Sequence, residues 1–392
     1  MSGLSDQLPV LIIGGGIGGL CLALELGRRN IGVCVFEQAQ DFSEFGAGLQ
    51  LSPNAVRRLK ALELEADLAP LAGKPTKIVI HDGLDGKALT EIPLGDQAIE
   101  RYGDPYWVMA RKDLQAVLLA AVKAHPSIEI YTGHKFITYS QDETSINAEM
   151  ENGQRFEGRL LVGADGIWSR VRHMIDKQAV PSSTGYIAWR ALVDDDKVTA
   201  LFDAYFTQVW LGPDSHLVHY PVSGGRQHNF VAVTKGEARP RSWAEALPKE
   251  QLFEQLRPWY KPVRKAVMEI DEWVAWPLML LRPFRPWHKR RIVLLGDAAH
   301  AVVPFLSQGA AMAIEDAALL GGLIEQHQDE LLNVPELYQT QRFTRCKKVL
   351  SKSMNNGHVY HAQKSYRSLR NFGLKRMPPS WLLKQYDWLY TY

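Results

Sequence analysis

The spacing of apolar residues changes several times along this chain, and each change marks an element. Val10–Ile13 (VLII) is a short unbroken apolar run, five glycines follow within six residues from Gly14 to Gly19, and Leu20–Arg29 is apolar at helical spacing. Ile31–Glu37 (IGVCVFE) is a second unbroken run, so the N-terminal end predicts a strand–turn–helix–strand unit with buried strands. Tyr106–Met109 leads into a predicted helix, Lys112–Ala124. Short β-type runs fill Ile128–Phe156, with Asn152-Gly153 as the turn of a hairpin. Leu160–Gly163 and Arg291–Gly296 are further apolar strands, the first running into Ala-Asp-Gly and the second into Asp-Ala-Ala-His. A long helix is predicted from about Gly309 to His327 and a second helical stretch over about Pro335–Asn371. The aromatic tail PPSWLLKQYDWLYTY should pack back on the body.

Between Thr184 and Leu280 the texture differs. Runs such as TGYIAWRALV, AYFTQVWLG, HLVHYPV and HNFVAVT alternate apolar with polar and are punctuated by Gly and Pro. That pattern predicts an antiparallel sheet with one face buried, inserted into an otherwise α/β chain.

Composition narrows the class only modestly. With 392 residues, 46% hydrophobic, 22% charged and a formal net charge of +2, the chain has a globular balance that gives no lead toward nucleic acid. Ten Lys/Arg and no Asp/Glu lie between Leu337 and Met377, which reads as a solvated helix face. Three cysteines, Cys21, Cys34 and Cys346, are too few for a disulfide framework and read as free thiols in a reducing cytoplasm. There is no CxxC or His-rich pattern, so no metal site is expected, and no run is long enough to span a membrane.

The candidate chemistry lies in the turns. Gly14, Gly16 and Gly19 make a GxGxxG, in which the first glycine permits the tight turn, the second lets backbone approach a pyrophosphate, and the third lets helix and strand close. The free amides at the helix start then face phosphate. Glu37 lies 18 residues past Gly19, placed to accept from ribose hydroxyls, and the adjoining Gln38 is counted in the same site. Asp165 ends a buried strand, where a carboxylate needs hydrogen bonds; a helix cap is the alternative use. Asp297 can hold ribityl hydroxyls, while the helix beginning at Gly309-Ala310 would aim its positive end at a flavin pyrimidine. His300 reads as structural. Three such blocks in this order imply FAD along its whole length.

Nearly the whole chain resembles the single-component, FAD-dependent aromatic hydroxylases of the p-hydroxybenzoate hydroxylase fold. FGAGLQLSPNA (residues 45–55), IPLGDQAIERYGDPY (92–106), ARKDL around Arg111, GYIAWRALV (185–193) and LGPDSHLVHYPVSGG (211–225) carry the likeness, which is greatest to salicylate, 3-hydroxybenzoate and 6-hydroxynicotinate hydroxylases. The resemblance implies a Rossmann-like FAD-binding domain (1–75, 100–175 and 286–330), an inserted, mainly antiparallel substrate domain (76–99 and 176–285), and a C-terminal helical segment (331–392). It also implies that Arg111 contacts FAD and that Gln50 and Pro304 line the substrate side of the flavin. NADH or NADPH would act as co-substrate, with no Rossmann unit of its own.

On a strand, His216, Val218 and Tyr220 share one face, and four residues of strand separate the outer pair by about 13 Å, room for one ring between them. Read from the residues alone, a satisfied core histidine is the commoner case. The resemblance implies instead a catalytic His216 and Tyr220, the histidine drawing the proton from a substrate hydroxyl so that the ring attacks an electrophilic oxygen. A substrate carboxylate would meet Arg190 or Gln50. Ala301, and Ala311-Met312, depart from residues common in the family at the flavin's pyrimidine end. The expected activity is therefore hydroxylation of a small hydroxylated aromatic acid with O2 by a cytoplasmic monomer or homodimer that binds neither nucleic acid nor membrane. An N-heteroaromatic acid is the alternative substrate. A halogenase is a weaker reading, because Trp273-Val274-Ala275-Trp276-Pro277 only approximates its W-x-W-x-I-P element, and a non-catalytic flavin sensor is weaker still.

Overall fold

The computed structural model describes residues 7–42, 47–202, 205–236 and 247–392. Phe45 and Gly46 of the FGAGLQLSPNA segment lie outside the described residues. The first sheet runs in the order His288–Lys289, Ile292–Leu294, Leu160–Gly163, Val10–Ile13, Val33–Phe36, Ile128–Tyr131, parallel except at the His288–Lys289 edge. Its four central strands are buried along their length, as unbroken apolar runs covered on both faces must be. Strand register places the turns. Ile13 pairs with both Phe36 and Gly163, and Gly163 with Leu294, so the strands end level and their three Gly/Asp turns leave from one edge of the sheet.

Helix Ile17–Gly27 comes after the first turn, three residues earlier than the apolar spacing predicts, because Gly18 and Gly19 are themselves helical. It packs on Gly309–Gln326, the long helix expected from the sequence. The predicted hairpin forms, with Gly153 at φ +83° between Ile146–Met150 and Arg155–Gly158.

The second sheet has seven strands in the order Val274–Leu280, Ser182–Asp194, Gln227–Lys235, Ser215–Val222, Phe206–Gly212, Lys77–Asp82, Ala88–Pro93. It is antiparallel except where Phe206–Gly212 runs alongside Lys77–Asp82. One face carries Trp189, Trp210, Leu217 and Phe230 against Trp259, Val263 and Val267, forming a core of its own. The opposite face turns Ala188 and Val233 toward Val303 and Phe305, beside the end of the first sheet's last turn.

Two expectations at the C-terminal end need correction. The helical stretch is broken into Val334–Tyr360 and Lys364–Arg376, with Lys364 at φ +46°. The basic run within it is not simply a solvated face: Arg342 is fully buried and pairs with Glu315 and Asp316. Counting charges along one segment misses this, because the acids sit on a different helix. The tail does pack back, with Tyr390 edge-on to Tyr102 at 5.2 Å and to Tyr106 at 6.2 Å. All three cysteines are buried and free. Among the described residues, no helix is long and apolar enough to cross a membrane.

Candidate active site

The first two turns open on a cleft of about 860 Å³ lined by Gly14, Gly16, Glu37, Gln38, Asp165 and Arg170, among others. Gly14 sits at φ +111°, and a Cβ there would fall 2.3 Å from the Ala164 carbonyl oxygen, so the first and second blocks touch through it. A Cβ on Gly16 would meet nothing within 4 Å; it would simply enter the cleft. Gly19 presses on the Gly14 carbonyl, which closes helix onto turn and keeps Gly19 itself out of the cleft wall. Glu37 accepts from the amides of Gly15 and Ala39, each at 2.9 Å. It therefore braces the turn as well as lining the site, a use the motif alone does not reveal.

Asp165 supplies the test of what belongs in the cleft. Its Oδ2 accepts from the amides of Arg170 and Val171, at 2.8 and 3.1 Å. Its Oδ1 is buried with no partner, and burial raises the carboxyl above its ordinary range. A buried, unpaired carboxylate oxygen is costly unless a ligand donor reaches it. An open Gly16, helix-start amides and acceptors at Glu37 and Asp165 fit the phosphates and hydroxyls of FAD. The helix-cap alternative for Asp165 accounts for one oxygen and leaves the other unexplained.

The third turn adjoins these two. Arg172 donates to the Ala298 carbonyl at 3.1 Å, tying the second block to the third. Asp297 is exposed on this turn, with Arg111 and Arg172 in electrostatic reach. Gly309 and Ala310 begin an 18-residue helix, and a Cβ on Gly309 would meet nothing, so that helix start is open to an anionic group. Behind the turn, Asp316 Oδ2 accepts from the Gly296 amide at 2.9 Å and lies 2.5 Å from His300 Nε2, while its Oδ1 takes Arg342 Nε at 2.6 Å. Asp316 is held well below the usual carboxylate range by His300 and Arg342, against its burial. His300 is thus a structural partner of Asp316. Glu315 takes Arg342, Arg345 and Asn54, and Arg345 donates on to the carbonyls of Trp388 and Leu389.

The second sheet presents its inner face nearby. His216 and Tyr220 lie on strand Ser215–Val222, both buried, and His219 between them faces the opposite side, against Phe202, His228 and Phe230. His216 packs edge-on to Phe305 at 5.5 Å and to Tyr360 at 5.3 Å, and its Nδ1 lies 2.8 Å from His361 Nε2. Burial, with His361 beside it, pushes His216 well below the ordinary histidine value, so the ring is neutral at neutral pH. Tyr220 lies against Gly48 and Asn229, with its phenol raised by burial and lowered by Arg190. Arg190 belongs to the same face: it pairs with Val231, which pairs with Val218, and directly opposed residues point the same way. Gln50 accepts from the Tyr106 hydroxyl at 2.5 Å. Pro304 opens a short 3-10 turn whose next residue is Phe305.

Sequence reasoning missed several of these groups. Tyr106 and Tyr186 lie in segments that carry the family likeness but were not singled out; Phe305, Tyr360 and His361 lie in no such segment, and His361 is 145 residues from the histidine it meets. A long helix ending in HVYH offered no signal that its last turn faces a sheet.

Comparison with known proteins matches residues 7–352 to the FAD binding domain family. Over its full length the chain is 35% identical to a 3-hydroxybenzoate 6-hydroxylase of Polaromonas naphthalenivorans, covering 97% of that protein. It is 31% identical to a 6-hydroxynicotinate 3-monooxygenase of Bordetella bronchiseptica, across 88% of this chain and 91% of that protein. The fold is that of a salicylate hydroxylase solved as a substrate complex, at a TM-score of 0.83 and 23% identity over 99% of this chain and 96% of that one.

Proposed function

The chain belongs to the FAD binding domain family, and from that premise we propose that it is an FAD-dependent monooxygenase acting on a small hydroxylated aromatic carboxylic acid of the 3-hydroxybenzoate type. That it is an FAD-dependent aromatic hydroxylase follows from the family and from full-length likeness to hydroxylases, and such enzymes use NADH or NADPH with O2. The substrate class is the further step. What supports it is the single sheet face shared by His216, Tyr220 and Arg190, a base, a phenol and a cation, with the Phe305 ring edge-on to His216.

FAD, when bound and reduced, supplies an electrophilic oxygen atom derived from O2. Gly14, Gly16, Glu37 and Gln38 would hold its adenosine and pyrophosphate, and Arg111, Asp165, Asp297, Gly309 and Ala310 the remainder. His216, neutral because it is buried, accepts the proton of the substrate hydroxyl, and the phenolate so formed makes the ring a better nucleophile. Tyr220, on the same face, orients the ring from its other side. Arg190 and the amide of Gln50 meet the carboxylate, while Pro304 and Phe305 wall the ring and keep water out. The enzyme would work in the cytoplasm as a monomer or homodimer, and its buried free thiols suit a reducing compartment.

Screening 3-hydroxybenzoate, salicylate and 6-hydroxynicotinate for stimulated NAD(P)H oxidation, with ¹⁸O2 traced into product, tests the reading. We expect strongest stimulation by the hydroxybenzoate. Oxidation without label in any product would sink hydroxylation, and preference for 6-hydroxynicotinate would move the substrate to an N-heteroaromatic acid.

A further inference from the structure

We infer that His361 sets the tautomer of His216: it accepts the Nδ1 proton and so leaves the Nε2 lone pair bare for a substrate hydroxyl. This rests on the proposed role of His216 as the base and adds a positioning residue to it.

The two rings face each other through His216 Nδ1 and His361 Nε2 at 2.8 Å, a hydrogen bond that needs one proton between two nitrogens. Which ring owns that proton determines what His216 offers on its other side. If His361 donated, His216 would carry its own proton on Nε2 and present a donor to the substrate. If His216 donates, Nε2 is an acceptor. The surroundings favour the second arrangement. His361 is neutral, lowered to about 4 by burial, with His358 and Arg370 also opposing a further cation. Asp214 acts on it in the opposite sense, and the Asp214 amide donates to the His361 carbonyl at 3.4 Å while its carboxylate accepts from Gln363. Asp214 meets His361 at its backbone carbonyl, the side of the residue nearer ring Nδ1, while Nε2 is turned away toward His216, so a proton on Nδ1 faces the Asp214 side. His361 Nε2 is then the acceptor.

The pair cannot easily rearrange. Tyr186 stacks on His361 with ring centres 4.6 Å apart, and Phe305 stands edge-on to both imidazoles at 5.5 Å. Tyr360, one residue before His361, stands edge-on to His216. No hydrogen bond to His216 Nε2 is made among the described residues, so that nitrogen is left for a ligand. In the proton step the substrate O–H bond breaks, its electron pair stays on oxygen, and the proton goes to Nε2. The imidazolium so formed still donates Nδ1–H to His361, as an imidazolium in a triad donates to its orienting partner.

Two-bond ¹H–¹⁵N spectra of histidine-labelled holoenzyme read the tautomer without turnover. Wild type should show His216 with its proton on Nδ1 and a bare Nε2. His361→Phe removes the acceptor and should shift the population to Nε2–H, whereas His361→Gln, whose side-chain oxygen can accept, should keep the wild-type tautomer. In turnover His361→Phe should lower kcat by about tenfold or more with KM little changed, and His361→Gln should recover most of that loss. A wild-type His216 protonated on Nε2, or an unchanged tautomer in His361→Phe, overturns the inference. If His361→Phe does not fold, the wild-type tautomer alone settles it. Failure of every aromatic acid to be hydroxylated would remove the proposed reaction and leave this test to be read on its own spectrum.

Discussion

Two glycines in one turn do different work, and substitution separates them. Gly14→Ala forces a Cβ onto a backbone carbonyl at positive φ, and should cost about 2 kcal/mol or more of stability even without FAD. Gly16→Ala meets only open space, so the FAD-free protein should melt within about 0.5 kcal/mol of wild type while FAD affinity falls by about tenfold or more. Melts of stripped protein and FAD titrations check both. At His216, replacement by Ala should leave FAD binding intact and lower hydroxylation by about a hundredfold at neutral pH, measured by product formation; unchanged turnover would make the ring structural. The histidine pair also predicts a pH effect. Between about 4, where His361 titrates when folded, and its ordinary value, the unfolded chain binds more protons. Stability is therefore full above about pH 6.5 and declines as pH falls toward 4, at up to about 1.4 kcal/mol per pH unit for such a group. Melting temperatures from pH 7.5 to 4.5 should fall less steeply in His361→Gln. The glycines were legible in the sequence because each satisfies a local steric demand. His361 was not, because its role depends on a partner 145 residues away in the chain.

At the scale of elements, the helices Gly309–Gln326 and Val334–Tyr360 are joined by buried charge. Arg342 is fully buried against Glu315 and Asp316, and Asp316 in turn holds the Gly296 amide at the third turn. Removing one partner of such a pair strands the others, so Arg342→Met should destabilise the protein by about 3–5 kcal/mol and weaken FAD binding with it. Chemical denaturation and FAD titration would show this; a loss below about 1 kcal/mol would mean the acids find other partners. The buried parallel strands and the long helix could be read from periodicity, since each is an unbroken apolar run or a steady helical repeat. The basic stretch could not be read correctly. Its charges are solvated or buried according to whether acids on another helix face them, and no local window contains both.

Across the whole molecule, the C-terminal tail closes over the site's flank. Tyr390 packs on Tyr102 and Tyr106, Tyr106 bonds Gln50, and Arg345 ties the carbonyl of Leu389 to Glu315. Deleting residues 386–392 removes the buried side chains of Leu389 and Tyr390, and should cost about 3 kcal/mol, seen as a lower melting temperature, with substrate KM raised as Tyr106 loosens. A truncated enzyme with unaltered melting and KM would show the tail to be dispensable. What the sequence determined by itself is the set of local devices: strand, glycine turn and helix repeated three times, and an alternating insertion with His216 and Tyr220 on one face. These come from sterics and periodicity within a few residues. Tertiary structure alone decided the rest: that the three turns leave one level edge, that Asp165 keeps one oxygen unpaired, that Arg190 shares a face with His216, and that His361 meets it. Each of these is a distance between residues far apart in the chain, set by strand register and helix packing.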